Sequence, residues 1–234
     1  VIYHVTVPKT SSVSKLKICL VSDLHLSSGT YMRQARKLAK TVNDKHYDLV
    51  CFAGDVFDEN TPDALMNRSL QEFMNMKSTY GTYWISGNHE YYGKHTDFTV
   101  FEKYNIHFLK NTYETVDNTF NIVGFTDKTS RDHYDINQVI KGMDTSLPTI
   151  TLDHNPERFN QHTYFTDLQL SGHTHNGQIF PGNIILHYYY QNSYGLSHYK
   201  NHYLIVSGGY GSWGFPFRLG TQCEYDTIYL TMRK

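Results

Sequence analysis

The sequence has no apolar run near the roughly 18 residues that a membrane-spanning helix needs, so no span is expected within it. Cysteine is scarce. The three cysteines, Cys19, Cys51 and Cys223, show no metal-type spacing, and their odd number argues against a disulfide framework. Cys19 and Cys51 lie inside apolar runs and read as inert buried thiols. There is no long basic or acidic run, and the formal net charge is -1, which lacks the electrostatic footprint of a nucleic-acid binder. Internal repeats, low-complexity tracts and Pro-rich linkers are also missing, so one domain over residues 1–234 is expected. Finally, the chain starts at Val1 and not at Met. We expect that residues were removed ahead of it, and a signal or anchor segment could have been lost there.

Histidine and tyrosine are abundant, with 14 His and 20 Tyr. The early pattern is strand, helix, strand, helix, strand. Tyr3, Val5 and Val7 alternate with polar neighbours as a half-buried strand does. Leu16 to Ser22 is nearly continuous in apolar residues and Leu49 to Ala53 is apolar throughout, as in a strand covered on both faces. A helix is predicted over about Tyr31 to Asn43. A second starts at Thr61-Pro62-Asp63, with a hydroxyl cap and Pro at the first position, and has an apolar face of Leu65, Met66, Leu70, Phe73 and Met74. Thr82 to Ser86 is the third strand. Such an order predicts an α/β sheet with parallel neighbours and ligands gathered at the strands' carboxyl ends. Further on, Thr96 to Lys103 and Ile136–Gly142 read as short helices. His107–Leu109, Tyr113–Val116, Phe120–Gly124, Thr149 to Leu152, Leu168–Leu170, Leu204–Val206 and Thr227–Leu230 read as strands.

Five blocks carry the chemistry: Asp23-Leu-His25, Gly54-Asp55-Val-Phe-Asp58, Gly87-Asn88-His89-Glu90, His154, and Gly172-His173-Thr-His175. Each follows an apolar strand. With this histidine content about one His-x-His pair arises by chance, so His173 and His175 mean little alone. The ordered set supplies two carboxylates, one amide and four imidazoles, a donor mixture suited to two divalent metals.

The set resembles the calcineurin-like metallophosphoesterase family, and its motifs span about two-thirds of the chain. The tail from Ser207 to Arg218 resembles the bacterial branch that is often membrane-tethered or exported, some members of which cleave lipid-linked nucleotides. The resemblance implies a four-layer α/β/β/α sandwich of two mixed sheets. It implies one metal held by Asp23, His25, Asp55 and His175, and another by Asp55, Asn88, His154 and His173. It makes His89 the catalytic histidine, and gives Asp58 and Glu90 supporting places around the ligands. Asp is usual where Glu90 stands, so Glu90 is expected to orient His89 differently. Many relatives carry Arg after Asp58; Glu59 stands here, and that support is missing.

Two divalent ions, two carboxylates and a bridging hydroxide leave about +1 at the centre, enough to attract a phosphate. Abundant imidazole favours Mn, Fe or Zn. The implied activity is hydrolysis of a small-molecule or lipid-linked phosphoester by in-line attack of that hydroxide, with phosphodiesters or pyrophosphates slightly favoured over monoesters. The alternatives are a phosphomonoesterase or a non-catalytic metal-binding scaffold of the same fold. A membrane-associated or extracytoplasmic location is expected, with the cytoplasm as the alternative. The aromatic stretch from His187 to Tyr194 and the segment from Trp213 to Phe217 have two readings. Ordinary core and edge-strand packing is favoured; a substrate wall that includes Tyr190 and Trp213 is the other. Arg218 could contact a phosphate or pair with an acid. The other histidines, His95 among them, match no motif.

Overall fold

The computed structural model describes residues 1–27, 32–93 and 98–233. Tyr31, Thr96 and His95 lie outside the described residues. In chain order the elements are β1 (Ile2–Thr10), β2 (Lys15–Val21), α1 (Met32–Lys45), β3 (Leu49–Ala53), α2 (Asp63–Met74), β4 (Thr82–Ile85), α3 (Asn88–Tyr92), β5 (His107–Phe108), β6 (Thr112–Val116), β7 (Phe120–Gly124), α4 (Ile136–Val139), β8 (Thr149–Leu152), α5 (Phe159–His162), β9 (Leu168–Ser171), α6 (Gly182–Tyr189), β10 (Gly195–Tyr199), β11 (His202–Val206) and β12 (Asp226–Arg233). The predicted helix ending at Lys103 is a 3₁₀ helix over Phe98–Tyr104. Four of these elements were not foreseen: α3, α5, α6 and β10.

The strands form two six-stranded sheets, in the orders β1-β12-β2-β3-β4-β5 and β10-β11-β9-β8-β7-β6. Each is mixed. β2, β3 and β4 run parallel, as do β7, β8, β9 and β11, while β12 and β10 pair antiparallel with β2 and β11.

Side-chain alternation explains why the central strands read as continuous apolar runs. In β2, Leu16, Ile18 and Leu20 enter the core between the sheets, whereas Cys19 and Val21 face the helices. In β3, Leu49, Cys51 and Ala53 point inward and Val50 and Phe52 outward. Every side chain of such a strand is removed from water. The outer layer is closed by α1, whose buried Met32, Ala35, Leu38, Ala39 and Val42 follow helical spacing. Trp84 anchors it, stacked on Phe52 and Phe57 at 4.8 and 5.6 Å. Phe125, Met143 and Phe165 cover the second sheet's outer face. The layers are therefore α/β/β/α.

The start of α2 departs from expectation. Pro62 occupies the N-cap without a side-chain bond. The Thr61 hydroxyl accepts from the Asp58 amide at 2.9 Å and donates to the Leu26 carbonyl at 2.7 Å, so it ties two loops together instead of capping the helix. Met74, assigned to the apolar face, is exposed.

Candidate metal centre

Parallel strands from both sheets end along one edge, and the five blocks occupy the loops that leave them. Asp23 and His25 follow β2, Asp55 follows β3, His154 follows β8, and His173 and His175 follow β9; Asn88 and His89 begin α3 just after β4. The turns are tight. Asp23, His25, Asp55, His173 and His175 all take left-handed backbone, with φ of 53°, 51°, 52°, 73° and 52°. Such a conformation costs roughly 1 kcal/mol or more per residue and persists only where the surroundings hold it. Two glycines make room: a Cβ on Gly87 would lie 2.2 Å from Asp55 Oδ1, and one on Gly172 would lie 1.8 Å from Ser22 Oγ.

Two donor clusters result. In one, His25 Nε2 faces His175 Nε2 at 3.0 Å, and His175 Nε2 is 3.4 Å from Asp23 Oδ1. In the other, His154 Nε2 lies 3.1 Å from Asp55 Oδ2, with His173 close enough to share an ion and its Nδ1 2.9 Å from Asn88 Oδ1. Nδ1 of His154 donates to the Ala53 carbonyl at 2.7 Å, which leaves the Nε2 lone pair inward. That buried Nε2 has no hydrogen-bond partner among the described residues. Nδ1 of His25 is held by Asp58 Oδ1 at 2.6 Å. Two imidazole nitrogens face to face, with an orphaned third, make a donor set that a cation satisfies.

Electrostatics follow from burial and proximity. Burial alone would raise the Asp55 carboxyl, but His154, His25 and His89 prevail and hold it well below the usual range. Burial lowers His175 to about 4 and also lowers His173, keeping both imidazoles neutral and able to ligate near neutral pH. Burial opposes charge on His25 and His154 as well; their carboxylate neighbours override it and shift both upward.

A family model described as calcineurin-like phosphoesterase matches residues 16–177, the stretch that holds all five blocks. The chain belongs to that family. An uncharacterized metallophosphoesterase of Helicobacter pylori is 34% identical over 224 residues, covering 92% of this chain and 60% of that protein. One of Aquifex aeolicus is 30% identical over 227 residues, covering 93% and 85%. The transmembrane protein with metallophosphoesterase domain of Bos taurus is 28% identical over 242 residues, covering 94% and 54%. The chain thus spans about 60% of the length of the Helicobacter relatives it matches. Among solved structures, a Thermus thermophilus protein superposes with a TM-score of 0.55 at 10% identity, over 86% of this chain and 90% of that one. A dimetal phosphatase from Danio rerio gives 0.51 at 9%, over 84% and 88%. These two likenesses concern the fold alone.

The calcineurin-like phosphoesterases are phosphoester hydrolases that use divalent metals, and the clusters could hold such ions. Several supporting residues of this member act differently from expectation. Glu90 does not touch His89: its carboxylate accepts from the amides of Asp55, Val56, Phe57 and Gly87 at 2.7 to 3.1 Å, bracing the loop after β3. Burial and the Asp55 charge still push Glu90 up to about 7. The partner of His89 is Glu59, with Oε2 3.0 Å from Nδ1. Its potential was hidden because the family pattern calls for a cation there. Arg218, which is partly exposed, pairs with no acid among the described residues. Its guanidinium donates to the carbonyls of Gly211 and His175 at 2.6 to 2.9 Å, which anchors the tail beside the cluster. Trp213 and Tyr190 do flank the histidines, with ring centroids 5.5 Å from His89 and 6.4 Å from His173. Tyr92, which no motif singles out, is 5.2 Å from His89.

Proposed function

We propose that this chain hydrolyses a phosphoester using two divalent transition-metal ions (Mn, Fe or Zn), with phosphodiesters or pyrophosphates preferred over monoesters. The observation that carries the reading is the convergence of seven donor side chains from two sheets, with His25 and His175 nitrogens 3.0 Å apart. One ion falls to Asp23, His25, Asp55 and His175, and the other to Asp55, Asn88, His154 and His173. When bound, the metals would supply Lewis-acid polarisation of the phosphoryl oxygens and a water of lowered pKa.

The chain's own residues prepare the rest. Asp58 holds the His25 ring in place through Nδ1, and Glu90 fixes the loop that carries Asp55. Asp55 Oδ1 accepts from the His89 amide at 2.8 Å, which couples the ligand to the catalytic histidine. As an imidazolium with Nδ1–H given to Glu59, His89 would have its Nε2–H left for a substrate oxygen, and would pass that proton to the departing alkoxide. A pure scaffold has no need of an intact donor set plus His89, which disfavours that reading. Membrane association is our reading of location, supported by the name of the Bos taurus relative; no helix among the described residues is long and apolar enough to cross a membrane.

The test joins metal analysis to a substrate panel. We expect close to two equivalents of metal after reconstitution, and metal-stimulated release from bis-p-nitrophenyl phosphate that Asp55→Ala abolishes. Release from neither that diester nor p-nitrophenyl phosphate, with Asp55→Ala indistinguishable from wild type, would overturn the proposal.

A further inference from the structure

An apolar groove opens directly from the ligand cluster. His173 and His175 close its inner end, and its walls are α6, through Ile185 and Leu186, and the loop carrying Trp213 and Phe215; its volume is about 520 Å³. That size and composition suit a small-molecule ligand, and a site joined to the reacting centre is where a substrate's non-reacting part would lie. The loop is built to present carbon. Gln178 accepts from the Trp213 amide at 2.8 Å and donates to the Trp213 and Phe215 carbonyls at 2.8 and 3.2 Å. Those backbone groups are therefore satisfied internally, and the indole and phenyl rings face outward. Ile185 is about half exposed and Phe215 two-thirds exposed, and beyond them Tyr188 and Tyr189 are 84% and 80% exposed. Clustered apolar exposure of this kind marks a binding surface.

Resting on the hydrolase reading above, we propose that the groove between α6 and the Trp213 loop binds an alkyl chain of the phosphoester substrate. The scissile phosphate would then lie at the histidine end. An alkyl chain fits because the walls offer methyl and ring surfaces, while the polar groups of Gln178 are consumed within the protein and are not left to hydrogen-bond a sugar or a base edge. The continuity with His173 and His175 selects a substrate chain over a separate partner.

The test compares methyl p-nitrophenyl phosphate with octyl p-nitrophenyl phosphate below its micelle threshold. Burial of the added methylenes in a half-open groove should raise kcat/KM by about 100-fold. In Ile185→Ser and Phe215→Ser that octyl-to-methyl ratio should collapse toward one, while a Tyr229→Ser control on distant β12 keeps it. Independently of turnover, decylphosphonate should shift the fluorescence of Trp213, and inorganic phosphate should not. If neither ester is hydrolysed yet decylphosphonate still binds, the hydrolase reading fails and the groove assignment stands. Equal kcat/KM for the two esters, without decylphosphonate binding, overturns the groove assignment and leaves the hydrolase reading intact. Binding to neutral phosphatidylcholine vesicles with no affinity for monomeric decylphosphonate would make this face a bilayer contact and overturn the assignment too. Self-association lost in Ile185→Ser, again without decylphosphonate binding, would make it an interface between copies, with the same consequence.

Discussion

The Glu59 carboxylate lies 3.0 Å from Nδ1 of His89, a ring that also neighbours Asp58, at 3.6 Å, and the rings of His25, Tyr92 and Trp213. Position 59 thus holds the ring of His89, the proposed catalytic histidine. Glu59→Ala should lower kcat about 10-fold on a diester with an alkoxide leaving group, with little change in KM. The loss should be smaller with p-nitrophenolate, which needs no proton to depart. Glu59→Gln keeps an acceptor for Nδ1–H and should recover most of the rate. Equal losses on both leaving groups would reduce Glu59 to a structural role.

Metal binding should stabilise the fold as well as permit reaction. A ligand that binds only the folded state at 100 times its Kd adds about 2.7 kcal/mol. Thermal unfolding with excess Mn²⁺ or Zn²⁺ should therefore move upward by several degrees, and chelation should reverse it. His154→Ala removes a buried donor from one cluster and should blunt the shift. A midpoint insensitive to every divalent ion would count against the assignment of the clusters.

Glu90 satisfies four buried amides, so its loss exposes more than one side chain's worth of energy. Glu90→Ala should cost about 3 kcal/mol or more, read by urea unfolding. Glu90→Gln retains one acceptor oxygen but turns an NH₂ toward amide donors, and should fall between. A change below about 1 kcal/mol for Glu90→Ala would show that water replaces the carboxylate.

Asp226 is buried at the start of β12. Burial first, then the neighbouring Glu224 carboxylate, push its carboxyl up to about 7. An acid raised in the folded state favours folding when protonated. That contribution is complete below the ordinary carboxylate range near pH 4 and is lost as pH rises through about 7. Unfolding free energy of wild type should accordingly fall relative to Asp226→Asn, by on the order of 3 kcal/mol, between about pH 4 and about pH 8. A difference independent of pH would mean that the carboxyl titrates normally.

Much of the fold was legible because it rests on local pattern. β2, β3 and β4 are largely apolar since both faces are covered, and their alternation with helices implied parallel strands. The five blocks were legible because each couples the end of an apolar strand to metal-donor side chains, and in three of them the donors Asp23, His25, Asp55, His173 and His175 take left-handed backbone. α6 was not. Gly182 to Tyr189 carries apolar and aromatic residues that resemble core, yet Ile184, Ile185, Tyr188 and Tyr189 are exposed. Arg218 was ambiguous for a similar reason: a guanidinium in sequence does not reveal which carbonyls it will meet.

The sequence by itself determined the donor inventory and the order of strand ends that carry it, because hydrophobic period and motif spacing are local properties. Tertiary structure decided the pairings. Glu59, not Glu90, meets His89; Glu90 is spent on amides; α6 and the Trp213 loop open a groove beside His173 and His175. Each of those outcomes depends on distances between segments far apart in the chain, which are set only when the two sheets pack and their loops compete for the same hydrogen-bond partners.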